Sequence, residues 1–267
     1  MNINFKRNII ISVLLTVIFI IWSLVMYATS TNEGPWSNWY SLYATMYLFA
    51  GVWGVIYSKK MGQGIISKTL NYWGISFILY SIALYIQTYY VVFIGEEFYP
   101  SIADWFFLVH IVFLFMGSGS ILKIYIKEIT TRHIIGSIVG ICLSGYITYM
   151  YFGLPGFGVE DSTFWTDFFN SFYVLSGFLS MFLVILILVF AGGKIFKGLM
   201  YFVLGVATQT LGDILFILRY EAGTFWGGDI ADMIYVISGL LYMLAIIYTT
   251  KGFLEKNNTG IPIANNQ

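Results

Sequence analysis

The stretch IADWFFLVHIVFLFMGSGSIL, residues 102–122, carries one carboxylate, Asp104, at its start and one imidazole, His110, in its interior. No lysine or arginine interrupts it. A helix needs about 20 predominantly apolar residues to cross about 30 Å of hydrocarbon, so the stretch reads as a membrane span. Working outward from it, seven more stretches meet the same requirement: 8–28, 38–58, 71–94, 133–153, 167–190, 197–218 and 230–250. The chain is expected to be all-α: a polytopic integral membrane bundle of eight transmembrane helices. Residues 1–250 form one bundle domain, and 251–267 a short polar cytoplasmic tail.

Composition agrees. Of 267 residues, 59% are hydrophobic and 10% charged, against about 45–50% and about 25% in soluble domains. So little charge cannot cover a soluble surface, which excludes a water-soluble enzyme and a disordered chain. Thirteen basic and thirteen acidic residues cancel, which argues against a nucleic-acid partner. The single cysteine, Cys142, excludes an intrachain disulfide and a cysteine-cluster metal site. Lys6 and Arg7 ahead of the first span resemble the start of a signal peptide. The apolar run behind them exceeds the roughly 7–15 residues of a signal h-region, however, and reads as a membrane helix.

Lysine and arginine orient the spans. Lys6, Arg7, Lys59, Lys60, Lys68, Lys123, Lys127, Arg132, Lys194, Lys197, Lys251 and Lys256 fall on one side of an eight-span topology, and Arg219 alone on the other. The opposite loops carry Glu33, Glu96, Glu97, Glu160, Asp161, Glu221 and Asp229. The positive-inside rule then places both termini in the cytoplasm of a multi-pass cell-membrane protein.

The far ends of the even-numbered spans resemble one another. Asn38, Asp104, Asp167 and Asp232 recur at separations of 66, 63 and 65 residues, which suggests four helical hairpins. Two readings of these aspartates stand side by side. Ser101 with Asp104, and Asp229 with Asp232, have the spacing of a helix-capping box. The same carboxylates could instead ring an extracytoplasmic pocket.

Ionisable groups within hydrocarbon are costly and default to functional candidates. His110 lies six residues beyond Asp104. Asp213 lies near the outer end of span seven, where no helix start accounts for it, and Gln209 lies one turn below on the same face. Asp213, Gln209, His110, Asp104 and Asp232 are therefore the candidate ligand-binding residues. The bland alternatives are an ion pair of Asp213 with Arg219, a hydrogen-bonded His110, and an interfacial aromatic belt for Trp36, Trp39, Tyr99, Trp105, Trp165 and Trp226. No metal-ligand cluster, phosphate-binding glycine loop, nucleophile elbow or intramembrane protease signature occurs. His110 and His133 lie on different spans, and span eight has no lysine in its core, which argues against haem and retinal. No catalytic residue, metal or cofactor is expected.

Three segments carry a resemblance: Tyr99-Pro100-Ser101-Ile102-Ala103-Asp104; Leu211-Gly212-Asp213-Ile214-Leu215-Phe216 with Gly223-Thr224-Phe225-Trp226-Gly227-Gly228; and Asp232-Met233-Ile234-Tyr235. Over roughly residues 72–250 the chain resembles the multi-span membrane sensor modules found N-terminal to bacterial GGDEF/EAL proteins and some histidine kinases. Those proteins continue into a cytoplasmic output domain, whereas this sequence stops soon after span eight. The resemblance implies a free-standing, non-enzymatic module that perceives an extracytoplasmic or membrane signal and relays it to a separate cytoplasmic signalling protein. The alternative is a small transporter or channel; against it, no span is broken at its centre and no inverted symmetry is visible.

Overall fold

Long apolar runs without water satisfy their backbone polar groups internally, and helix is the economical way to do so. A computed structural model of the chain describes residues 3–29, 41–95, 99–125, 129–152, 164–190, 194–224 and 229–258. Among them are eight α-helices: α1 (Phe5–Thr29), α2 (Ala44–Met61), α3 (Ile65–Tyr89), α4 (Ile102–Tyr125), α5 (Thr131–Phe152), α6 (Phe164–Phe190), α7 (Lys194–Glu221) and α8 (Ile230–Asn258). Six stretches are long and apolar enough to cross a membrane: Phe5–Ala28, Ile65–Ile94, Ile102–Tyr125, Phe164–Val189, Phe196–Arg219 and Ile230–Glu255. The protein is a multi-pass helical membrane bundle.

The helices extend beyond the predicted spans in instructive places. α3 begins six residues before residue 71 and passes into a π-helical turn, Tyr90–Ile94. Gly95 closes that turn at φ 79°, a left-handed conformation that favours glycine. α8 runs on past Lys251 into the expected tail. Residues 251–258 continue α8, because Phe253 packs on the core and Thr250 donates to the Ile246 carbonyl at 2.8 Å, tying the last turns together.

Six helices close a ring in the spatial order α2, α3, α4, α6, α7, α8, with α8 returning to α2. α1 lies outside this ring against α8 and α2, and α5 lies outside it against α6. Alternating helix direction gathers like ends together. At one end Asn8 of α1 hydrogen-bonds Tyr57 of α2, Ser67 of α3 donates to the Ser58 carbonyl at 2.9 Å, and Lys197 of α7 sits 4.2 Å over the Tyr248 ring of α8. This is the lysine-bearing end. At the other, Tyr43 beside α2 stacks on Tyr235 of α8, and Arg219 of α7 pairs with Asp229 at 2.5 Å.

Small residues set the ring's tightest seam. A Cβ on Gly74 of α3 would lie 2.8 Å from the Gly51 carbonyl of α2, and one on Gly54 would lie 2.9 Å from the Gly74 Cα. Close backbone approach of this kind is how membrane helices gain packing energy without a hydrophobic drive between them. Towards the lysine end the ring is filled by aromatic side chains. Trp73 of α3 stacks on Phe202 of α7 at 3.9 Å between centroids, and Phe77 lies 4.4 Å from Tyr242 of α8. All four are fully buried.

Candidate functional site

Above this aromatic layer, towards the ends where α4, α6 and α8 begin, the ring encloses a cavity. Its volume, counted for the centres of water-sized molecules, is about 80 Å³. One water needs about 10–15 Å³ on that measure, so the space holds several waters or a small molecule. Asp104, His110, Gln209, Asp213 and Asp232 all line it. Residues spread over α4, α7 and α8 are thus brought to one place.

Asp104 takes part in capping α4 and also lines the cavity. Its Oδ2 accepts the Ser101 N–H at 2.6 Å, and Ser101 Oγ accepts the Ala103 N–H at 3.1 Å, which caps α4. Its Oδ1 accepts the Tyr173 hydroxyl of α6 at 2.6 Å. One carboxylate therefore fixes a helix start and ties two walls of the cavity together. At α8, the Asp229 side chain takes the Ile230 N–H. Asp232 is 1% exposed and lines the cavity one turn further in.

Asp213 is held differently from the ion pair the sequence allows. Arg219 is committed to Asp229, and Asp213 Oδ1 accepts the Tyr235 hydroxyl at 2.7 Å. Gly212 makes that contact possible, since a Cβ there would lie 2.8 Å from the Tyr235 ring. Gln209 Oε1, one turn deeper, accepts the Tyr242 hydroxyl at 2.6 Å. Tyr235 and Tyr242 lie seven residues apart, two turns along one face of α8, and dock onto Asp213 and Gln209, one turn apart on α7.

His110 is clasped from one side. Ser76 Oγ donates to the His110 carbonyl at 2.9 Å and lies 2.7 Å from His110 Nδ1. Nδ1 also lies 2.9 Å from the Ser76 carbonyl oxygen. Two lone pairs at that distance would repel, so Nδ1 carries the hydrogen. In the neutral ring Nε2 is then an acceptor. Nε2 is buried and has no hydrogen-bond partner among the described residues, and the same is true of Ser180 Oγ on another wall of the cavity.

Of the aromatic residues assigned to an interfacial belt, Trp105 is half exposed beside Trp165, and Tyr99 lines the cavity. Trp36, Trp39 and Trp226 lie outside the described residues, as do Asn38 and the side chain of Asp167. Sequence reasoning missed Tyr173, Tyr235, Tyr242, Ser76 and Ser180. The seven-residue spacing of Tyr235 and Tyr242 behind Asp232 was the available signal for two of them. Compared with known protein families, curated proteins and solved structures, the chain matches none.

Proposed function

We propose that this protein is a non-enzymatic receptor of the cell membrane, binding a small molecule in the cavity and passing the resulting helix movement to a separate cytoplasmic signalling protein. One observation carries the reading: the cavity, with its few polar groups, is backed by the buried Trp73, Phe77, Phe202 and Tyr242 layer, so it is a pocket and not a passage. The segments that carry the resemblance to sensor modules supply Tyr99, Asp104, Asp213, Phe216, Asp232 and Tyr235 to its lining.

In this reading the membrane is crossed eight times, by four hairpins. α2, at 18 residues, spans about 27 Å, and α5, at 22 residues, about 33 Å. Lys59 and Lys60 in the last turn of α2 suit the cytoplasmic headgroups. Ile134, Ile135, Ile138, Val139 and Leu143 of α5 are exposed, as a lipid-facing surface requires. The positive-inside rule puts both termini in the cytoplasm and the cavity at the outer side.

The test is flux. Proteoliposomes loaded with a panel of small cationic, neutral and anionic solutes should leak no faster than protein-free vesicles. Saturable flux of any of them would replace the receptor by a transporter.

A further inference from the structure

We infer that the cavity takes a small organic ammonium ion, its charged head towards Asp213 and His110 and its body against the aromatic walls. This rests on the receptor reading above and specifies what the receptor receives.

Four observations converge. First, among the described residues the cavity is lined by three carboxylates, Asp104, Asp213 and Asp232, and by no lysine or arginine. Arg219, the nearest arginine along α7, is held by Asp229. Second, acceptor capacity remains open at Asp213, His110 and Ser180. Asp213 has one hydrogen bond among the described residues, from Tyr235, and a carboxylate accepts up to about four. His110 Nε2 and Ser180 Oγ are buried, at 1% and 2% residue exposure, and have no hydrogen-bond partner among the described residues. His110 offers a lone pair there because Ser76 fixes the hydrogen on Nδ1. A ligand matched to these groups brings donors and a positive charge. An ammonium has three N–H donors and no acceptor.

Third, part of the remaining wall is aromatic, with Tyr80, Phe107, Tyr173 and Phe216 set among aliphatic residues such as Leu84, Ile111 and Ile217. Ring faces attract cations, most strongly when water is excluded. Fourth, no group of three or more His, Cys, Asp or Glu side chains among the described residues converges tightly enough to hold a metal ion. The carboxylates are spread around the space and do not meet at a point, which suits an extended organic cation better than a bare one. The volume, about 80 Å³ for the centres of water-sized molecules, corresponds to roughly five to eight such groups.

The experiment uses the full chain in lipid nanodiscs, titrated by calorimetry with 2-phenylethylammonium, with 2-phenylethanol as its neutral counterpart, with 3-phenylpropanoate and with sodium chloride. The ammonium should bind at least about tenfold more tightly than the alcohol, as one charge-assisted hydrogen bond provides. The carboxylate and sodium should give no heat. Asp213→Asn and His110→Gln should each weaken the ammonium about tenfold or more while the melting temperature stays close to that of the parent. Ser180→Ala, the mildest change, guards against a variant that fails to fold and should weaken binding several-fold. Equal affinity for alcohol and ammonium, no ammonium binding at millimolar concentration, or unchanged binding by Asp213→Asn and His110→Gln would each overturn the inference. Binding of the alcohol or the carboxylate alone would overturn the ligand class and leave a receptor cavity standing. Saturable ammonium uptake into proteoliposomes would support the ligand class and overturn the relay.

Discussion

The Tyr235 hydroxyl donates to Asp213 Oδ1 at 2.7 Å and thereby joins the first turns of α8 to the last turns of α7. Within a membrane such interhelical bonds contribute about 0.6 kcal/mol on average and about 1.7 kcal/mol at most. Tyr235→Phe should therefore destabilise the bundle by no more than about 1.7 kcal/mol, with the ring still seated on Gly212. Asp213→Asn keeps an acceptor for Tyr235 and should cost less. Unfolding in mixed micelles measures both; a larger loss for Asp213→Asn than for Tyr235→Phe would contradict the assigned pairing.

Asp104 serves a cap and a bond between helices, so its replacement should cost more than either alone. Losing the cap costs about 0.5–2 kcal/mol, and losing the Tyr173 contact adds roughly 0.6 kcal/mol. Asp104→Ala should fall near the sum, Tyr173→Phe near the second figure only, and Asp104→Asn between them. A double-mutant cycle of Asp104 with Tyr173 reads the coupling directly.

Gly117 of α4 leaves no room for a side chain against the Trp73 ring. Gly117→Ala should displace Trp73 from its stack on Phe202 and cost about 1–3 kcal/mol, the usual range for overpacking. A changed tryptophan emission together with a lower melting temperature is the expected result. An unchanged spectrum would show that α4 moves aside instead.

The faces of α7 are open to cysteine scanning once the exposed Cys142 is replaced by serine. Leu204 and Leu211 are exposed at 45% and 48%, while Thr210 and Ile214 are buried. Cysteines at 204 and 211 should react with a membrane-phase maleimide, and those at 210 and 214 should not. Reactivity at 210 with protection at 211 would rotate α7 the wrong way.

A reporter fused after Gln267 should be active in the cytoplasm, as the lysine distribution requires. Activity on the far side would reverse the bundle and place the cavity on the cytoplasmic side.

Much of this was legible in the residues. Apolar length and the alternation of lysines located the helices, because both are properties of single segments. Asp213, Gln209 and His110 stood out because a polar group in hydrocarbon needs a reason. Their convergence was not legible, since it depends on which helices are neighbours, and α6 lies beside α4 as well as α7. The partner of Arg219 was missed for a related reason. Asp213 is six residues from it in sequence, but Asp229, ten residues on across the α7–α8 turn, faces it in space. The tyrosines were hidden by abundance: with 21 in the chain, an interfacial belt and a cavity lining look alike until the backbone is placed.

The unbroken run of α8 from Ile230 to Asn258 would let it serve the proposed relay as a stiff lever. At 1.5 Å per residue its 29 residues measure about 43 Å. Asp232 and Tyr235 sit at one tip, beside the cavity, and Lys251 and Glu255 near the other. A tilt of about 5° at the cavity carries the far tip through about 4 Å. In the proposed relay such a stroke is mechanical: it asks for no water, ion or proton to pass the stacked rings between the two ends.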